Sequence, residues 1–265
     1  MKSDGLLSKI TPKRIHSVEI HDLAATPQPI REAIVDALGR GFRWAGFYEA
    51  LAPTFASFCE RAQCEEVLDL CSGSGQPVAT LLDALSSRGL AMPRFTLSDL
   101  LPNPGPLADA AARHRDHIQV VTEPVDATAV SAELNQPART VFNAFHHFPP
   151  ELAADILRDT VRSNTSICIV EAFPRNPLGI LPTLPALGLA MAATPFVGAN
   201  RLAKTLFLPA ATVIGTWDGF ISTLRIHSEA DLRQMVVEFD HYDWRYEVVP
   251  YPLGGRATVF SGVPY

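Results

Sequence analysis

Between Val67 and Leu82 the chain reads VLDLCSGSGQPVATLL, an apolar run that passes straight into a turn of small residues and then into a helical stretch with Pro77 near its start. Such a turn holds a ligand. Gly73 and Gly75 let the backbone come close to a bound group, and a helix start offers N–H donors that have no partner within the helix. A pyrophosphate fits poorly, because Val78 stands where a third glycine is needed and Asp69 lies in the strand just ahead of the turn. A carboxylate there suits a ligand with a cationic end. Thirty positions after Asp69, Asp99 closes the run FTLSDL, where it suits a pair of ribose hydroxyls. The two acids together ask for a cationic nucleoside.

From about Tyr48 to Tyr265 the sequence resembles the class I S-adenosylmethionine-dependent methyltransferases. The segments LDLCSGSG, SDLLPN, FNAFHHF and TWDGFISTLRIHSEADLRQM are similar to a bacterial small-molecule subset of that family with unassigned substrates. The resemblance implies S-adenosyl-L-methionine as cofactor. Carried over by position, Asp69, Cys71, Ser72, Gly73 and Gly75 would meet its methionine part, Asp99 its ribose and Asp126 its adenine, with Leu100, Asn103 and Ala127 as further cofactor contacts. Cys71 departs from the family pattern, which most often has its first glycine there. The run RTVFNAFHHF matches the fourth strand, which implies that Asn143, Phe145 and His146 lie beside the cofactor and His147 beside the reacting atoms. With the alternation of a strand, Asn143, Phe145 and His147 share one side and His146 takes the other, so His147 is the candidate general base. Tyr48, on an N-terminal helix that the family uses as a lid, and Trp217, in a Gly-bounded loop, are the candidate substrate contacts.

The elements that must carry these residues follow from periodicity. Ile30, Ile34 and Leu38, then Phe47, Leu51, Phe55 and Phe58, recur at helical spacing, with Gly39 and Gly41 expected to separate two helices. Beyond Glu65, five short β-rich runs alternate with helical stretches, which predicts a parallel sheet with right-handed crossovers. Ser228 is a candidate N-cap, and DWRYEVVPY and RATVFSGVPY, joined by Pro252 to Gly255, read as an antiparallel hairpin. The expected fold is α/β: a Rossmann-like, mostly parallel methyltransferase sheet with that hairpin at its end. Residues 1–64 form a helical N-terminal lid region, residues 65–265 the core, and residues 174–227 an insertion that shapes the acceptor pocket.

Composition limits the partners. The chain has 265 residues, 47% of them apolar, and a formal charge of −6 with no basic run, so the phosphate-neutralising surface that nucleic acid requires is missing from the sequence. Cys59, Cys64, Cys71 and Cys168 match neither zinc spacing nor a disulfide framework, and the first ten residues do not read as a secretory signal, so a cytoplasmic location without a bound metal is expected. Leu178 to Ala199 carries no charge, yet its prolines and glycines make a membrane span a poor reading. The expected partner is a small, partly apolar acceptor, methylated at an atom that sequence does not name, and oligomeric state is open. The alternatives are chemistry at another sulfonium carbon, a catalytically silent cofactor-binding protein, and a nicotinamide-dependent reductase, the last disfavoured by Asp69 and by the missing third glycine.

Overall fold

In β5 (Ser166–Glu171) every residue is buried, and successive side chains leave the strand on opposite sides: Ile167 and Ile169 enter one apolar cluster, Cys168 and Val170 another. A strand apolar on both faces must be covered on both. The computed structural model, which describes residues 12–15, 17–23, 25–197 and 201–265, builds that three-layer arrangement around seven strands. The others are β1 (Glu66–Leu70), β2 (Arg94–Leu97), β3 (Ile118–Val120), β4 (Ala138–Phe142), β6 (Tyr242–Tyr251) and β7 (Gly255–Pro264). Their order across the sheet is β3-β2-β1-β4-β5-β7-β6. The first five run parallel, and β7 pairs antiparallel with both β5 and β6.

One face is covered by α2 (Phe47–Ala62), α3 (Gln76–Ser87) and α4 (Pro104–Arg113), whose Phe55, Phe58, Leu81 and Leu107 pack on Val67, Phe95 and Leu97. The other face is covered by α5 (Pro150–Arg162) and α8 (Glu229–Met235), with Ile156, Leu157 and Leu232 against Leu68, Val141 and Phe260. Ser228 caps α8 as its sequence implies, in a reciprocal box with Asp231.

Three sequence expectations are corrected. α1 (Gln28–Trp44) runs unbroken through Gly39 and Gly41, and the chain turns at Ala45 and Gly46, where Gly46 takes φ +67°. Gly41 serves packing instead, because a Cβ there would lie 2.5 Å from Leu187. The segment after β5, where Trp217 is expected in a loop, forms α6 (Leu184–Ala193) and the 25-residue α7 (Arg201–Arg225), both packed against α1. β4 stops at Phe142, because Asn143 adopts φ +50° and a 3-10 turn takes over at Phe145–His147.

Residues 12–15 and 17–23 form no α-helix of the lid and no strand, only a 3-10 turn at Ile20–Asp22. They cross the ends of β4 and β5 as a strap, tied down by charged groups from distant parts of the chain. Arg14 donates to the carbonyls of Arg225 (2.6 Å), Phe148 (2.8 Å) and His146 (3.1 Å). Asp218 accepts from the backbone N–H of Ile20 (2.6 Å) and of His21 (3.0 Å), and its Oδ2 lies 2.9 Å from the His21 ring nitrogen Nδ1.

Candidate active site

At the end of β1 the chain must leave the sheet and start α3 within five residues, and small side chains make that possible. Cys71 takes φ +57°, Gly73 +56° and Gly75 +68°. Cys71 therefore carries a left-handed backbone that usually falls to glycine. Gly75 has a second reason, since a Cβ would lie 2.7 Å from Leu97 and 2.8 Å from Ala110. Gly73 has open space where a Cβ would point.

Asp69 is buried and faces its own donors. Its Oδ2 accepts from the Ser72 hydroxyl (2.6 Å) and its Oδ1 from the Thr140 hydroxyl (2.7 Å), a bond that joins β1 to β4. Burial raises its pKa to about 7 despite those two bonds. Thr140→Val should therefore cost about 1–2 kcal/mol near pH 8, where the carboxylate is charged, and less near pH 5, where it holds a proton. Urea unfolding of both proteins at the two pH values measures this, and an equal cost at both would exclude an ionised Asp69. Burial also raises the Cys71 thiol to about 12, with Asp99 and Asp69 adding to it, so this cysteine is not a nucleophile.

Asp99 is half-buried at the end of β2 and accepts from the N–H of Gly73 (2.8 Å) and of Leu101 (2.9 Å). Each oxygen keeps a free lone pair. Its carbonyl takes the N–H of Val125 (2.8 Å), which brings the loop bearing Asp126 and Ala127 alongside. Asp126 is exposed and accepts from Thr128, Ala127 is buried, and Leu100 and Asn103 are exposed. The loops bearing Asp69 to Gly75, Asp99 to Asn103 and Asp126 are thus gathered at one edge of the sheet, where the strands end.

Beyond Asn143 lies a cavity of about 600 Å³. Its walls are apolar: Ile34, Leu38 and Phe42 from α1, Phe173 and Ile180 after β5, Leu187 and Met191 from α6, and Gly215 and Phe220 from α7. Its inner end is polar, with Glu19, His21, Asn143, His146, His147, Glu171 and Asp218. Asn143 is fixed by its N–H to the Val170 carbonyl and by its side-chain oxygen to the Ala172 N–H, both 2.8 Å. A second cavity, of about 630 Å³, lies at the opposite edge of the sheet near Gln63 and Met92, at the strand starts, where the loops of this architecture do not converge.

The 3-10 turn overturns the expected alternation of the histidines, since both line the cavity with ring centroids 4.3 Å apart. Glu171 holds His146 twice, accepting from its backbone N–H (2.9 Å) and facing its Nδ1 (2.8 Å), while Glu19 lies 3.5 Å from Nε2. Burial alone would lower this imidazole, but the two carboxylates outweigh it and raise its pKa to about 9. His146 is a cation at neutral pH. Arg225 adds a second, 3.0 Å from Glu19. His147 is a third exposed, and its Nδ1 lies 3.2 Å from the Asp22 carboxylate. That contact outweighs the effect of burial on Asp22 and lowers its pKa.

Three candidates sit elsewhere than expected. Phe145 packs under the turn beside His227 and Phe148, on the α5 face of the sheet. Tyr48 is a core residue, edge-on to Phe47 at 4.8 Å, its phenol pushed up by burial. Trp217 lies within α7 and points outward, 46% exposed, and α7 turns Thr216, Asp218 and Phe220 to the cavity instead. Glu19, Asp22, Glu171 and Asp218 escaped the sequence reading because nothing local marks them. Their partners lie 25 to 206 residues away in the chain.

No family model and no curated protein sequence matches the chain. Among solved structures, the plantazolicin methyltransferase BpumL in complex with SAH superposes at a TM-score of 0.55, with 11% identity over 89% of this chain and 90% of that one. Magnesium protoporphyrin IX methyltransferase (ChlM) from Synechocystis PCC 6803 with bound SAH gives 0.49, with 12% identity over 92% and 91%. With the order β3-β2-β1-β4-β5-β7-β6, the first superposition decides the architecture. The chain has the class I methyltransferase fold. In methyltransferase terms, the gathered loops lie at the reversal of strand order between β1 and β4, where ligands of open α/β sheets bind. Among the described residues, no helix of this methyltransferase fold is long and apolar enough to cross a membrane.

Proposed function

We propose that the protein is an S-adenosylmethionine-dependent methyltransferase whose acceptor is a small, partly apolar metabolite. The observation that carries this reading is that the small-residue loop after β1 lies at the end of the strand paired with β4, whose following residue Asn143 lines the polar end of an apolar cavity. The loop suits a cationic nucleoside. Asp99 offers its remaining lone pairs to neighbouring hydroxyls, Gly73 has open space where a Cβ would point, and a pyrophosphate would face the Asp99 carboxylate. Asp99, the backbone at Gly73 and the loop of Asp126 and Ala127 would hold the nucleoside, with Asn143 beside them. When bound, S-adenosylmethionine supplies a methyl group made electrophilic by the sulfonium.

The residues around the cavity do the rest. Its apolar walls exclude water and fix the acceptor, and alignment of this kind supplies about 7–11 kcal/mol in favourable cases. His147 donates from Nδ1 to Asp22, which leaves the Nε2 lone pair to take a proton from a hydroxyl or ammonium acceptor. His146, already charged, has no lone pair to offer. The carboxylates of Glu171 and Glu19 keep it so. The size of the cavity and the apolar character of α1, α6 and α7 favour a metabolite over a polymer.

Isothermal calorimetry tests the reading directly. S-adenosylmethionine and S-adenosylhomocysteine should bind in the micromolar range and NAD should not. Asp99→Ala should weaken binding by about 1.5–3 kcal/mol, as for hydrogen bonds to a charged group. Unchanged titration curves for that variant would remove Asp99 from the site, and binding of NAD alone would replace methyl transfer with hydride chemistry.

A further inference from the structure

α6 carries only apolar residues and small ones on every side, a composition typical of helices that are buried or in lipid. Here it is half open. Leu189 is 66% exposed, and Phe196, in the turn that follows, is 76% exposed. On α7 the exposed residues Leu202, Leu206, Pro209, Val213, Trp217 and Phe220 recur every three or four positions, which confines them to one narrow arc of the helix. Lys204, Ala211 and Asp218 occupy the buried side opposite.

The flanks of this stripe are closed to hydrogen bonding. The hydroxyls of Thr205, Thr212 and Thr216 each donate 2.8 Å back to a carbonyl one turn earlier in α7. From residue 177 to residue 217 the only charged residues are Arg201 and Lys204, and Lys204 is pinned inward to Asp36 at 2.6 Å. A protein partner requires a polar rim to fix its register, whereas a lipid surface requires apolar side chains, no acid and no open donors. The outer face of α6 and α7 has the second set. It is also continuous with the cavity, because Leu178, Leu181 and Leu184 line the cavity while being half exposed, and Phe220 belongs to both.

We infer that the outer face of α6 and α7 lies on a lipid surface, and that an apolar acceptor enters the cavity from it without crossing water. The second half rests on the cavity being the acceptor site proposed above. The first half does not. The helices lie on the surface and do not span it, consistent with their length and hydropathy.

Flotation of the intact protein with vesicles of phosphatidylcholine, and of phosphatidylcholine mixed with phosphatidylglycerol, tests it. Wild type should float with both, and Leu206→Asp and Val213→Asp should lower the floating fraction by about tenfold or more. Both positions are exposed by 71%, so the core is untouched, and circular dichroism should be unchanged. Absence of flotation overturns the inference, as does flotation that both variants retain. So does a concentration-dependent dimer that Leu206→Asp dissolves, which would give the face to a second copy of the chain. Calorimetry with S-adenosylmethionine on the same samples separates the two readings: flotation without nucleoside binding defeats the proposed function and leaves the lipid contact standing.

Discussion

His147→Gln should lower turnover by about 10²–10⁴-fold while leaving the affinity for S-adenosylmethionine unchanged. The imidazole lines the inner end of the cavity with Nδ1 3.2 Å from the Asp22 carboxylate, which leaves Nε2 to accept a proton. Glutamine keeps a hydrogen-bonding amide of similar size and loses the base. The profile of turnover against pH should show an acidic limb in the wild type that the variant lacks. Asp22→Asn provides a check, because an amide still fills the space yet no longer stabilises the imidazolium, and its turnover should fall by a smaller factor. A His147→Gln enzyme with the wild-type rate and the wild-type acidic limb would end the proposal, leaving alignment and desolvation as the source of catalysis.

Glu171→Gln should destabilise the fold at neutral pH by about 1–3 kcal/mol, since Glu171 supplies the larger part, and Glu19 the rest, of the attraction that raises the imidazole from near 6.5 to about 9. The sign follows from where the proton is held more tightly. His146 binds its proton better folded than unfolded, so its contribution is complete below about pH 6.5 and fades as pH rises to about 9. Wild type should lose stability across that interval, and Glu171→Gln, which has already lost the larger carboxylate contact, should change little. Asp69, raised to about 7, also loses stability as pH rises, but equally in both proteins, so their difference isolates His146. Guanidinium unfolding at several pH values measures it. Parallel curves for the two proteins would mean that His146 is neutral in the folded state.

What the sequence makes legible here is what local chemistry determines. The β1 turn announces itself through Gly73, Gly75 and Pro77, the cap of α8 through Ser228 and Asp231, and the hairpin through Pro252 to Gly255. The 3-10 turn after β4 is less visible, since FNAFHHF has the composition of a strand. Its one signal is Asn143, a residue type that tolerates φ +50° better than most. α7 escapes because its apolar stripe faces outward and Pro209 interrupts its pattern. The polar end of the cavity is the least visible part. It is assembled from Glu19, His146, Glu171, Asp218 and Arg225, five side chains whose only shared property is where the finished fold puts them.

The pairing of β1 with β4 has a kinetic consequence. Strands β3, β2 and β1 come from one continuous stretch and strands β4 to β7 from another, and the two halves join along this single ladder, with Val67 opposite Ala138. Closing it spans some seventy residues, more than the pairings of β1 with β2, β2 with β3 and β4 with β5 and fewer than that of β5 with β7, so it has a larger loop entropy to overcome than those three local pairings. The bond between Thr140 and Asp69 crosses that seam, and the small-residue loop sits at its end. A ligand held there is held by both halves at once, and its binding free energy adds directly to the work needed to pull them apart.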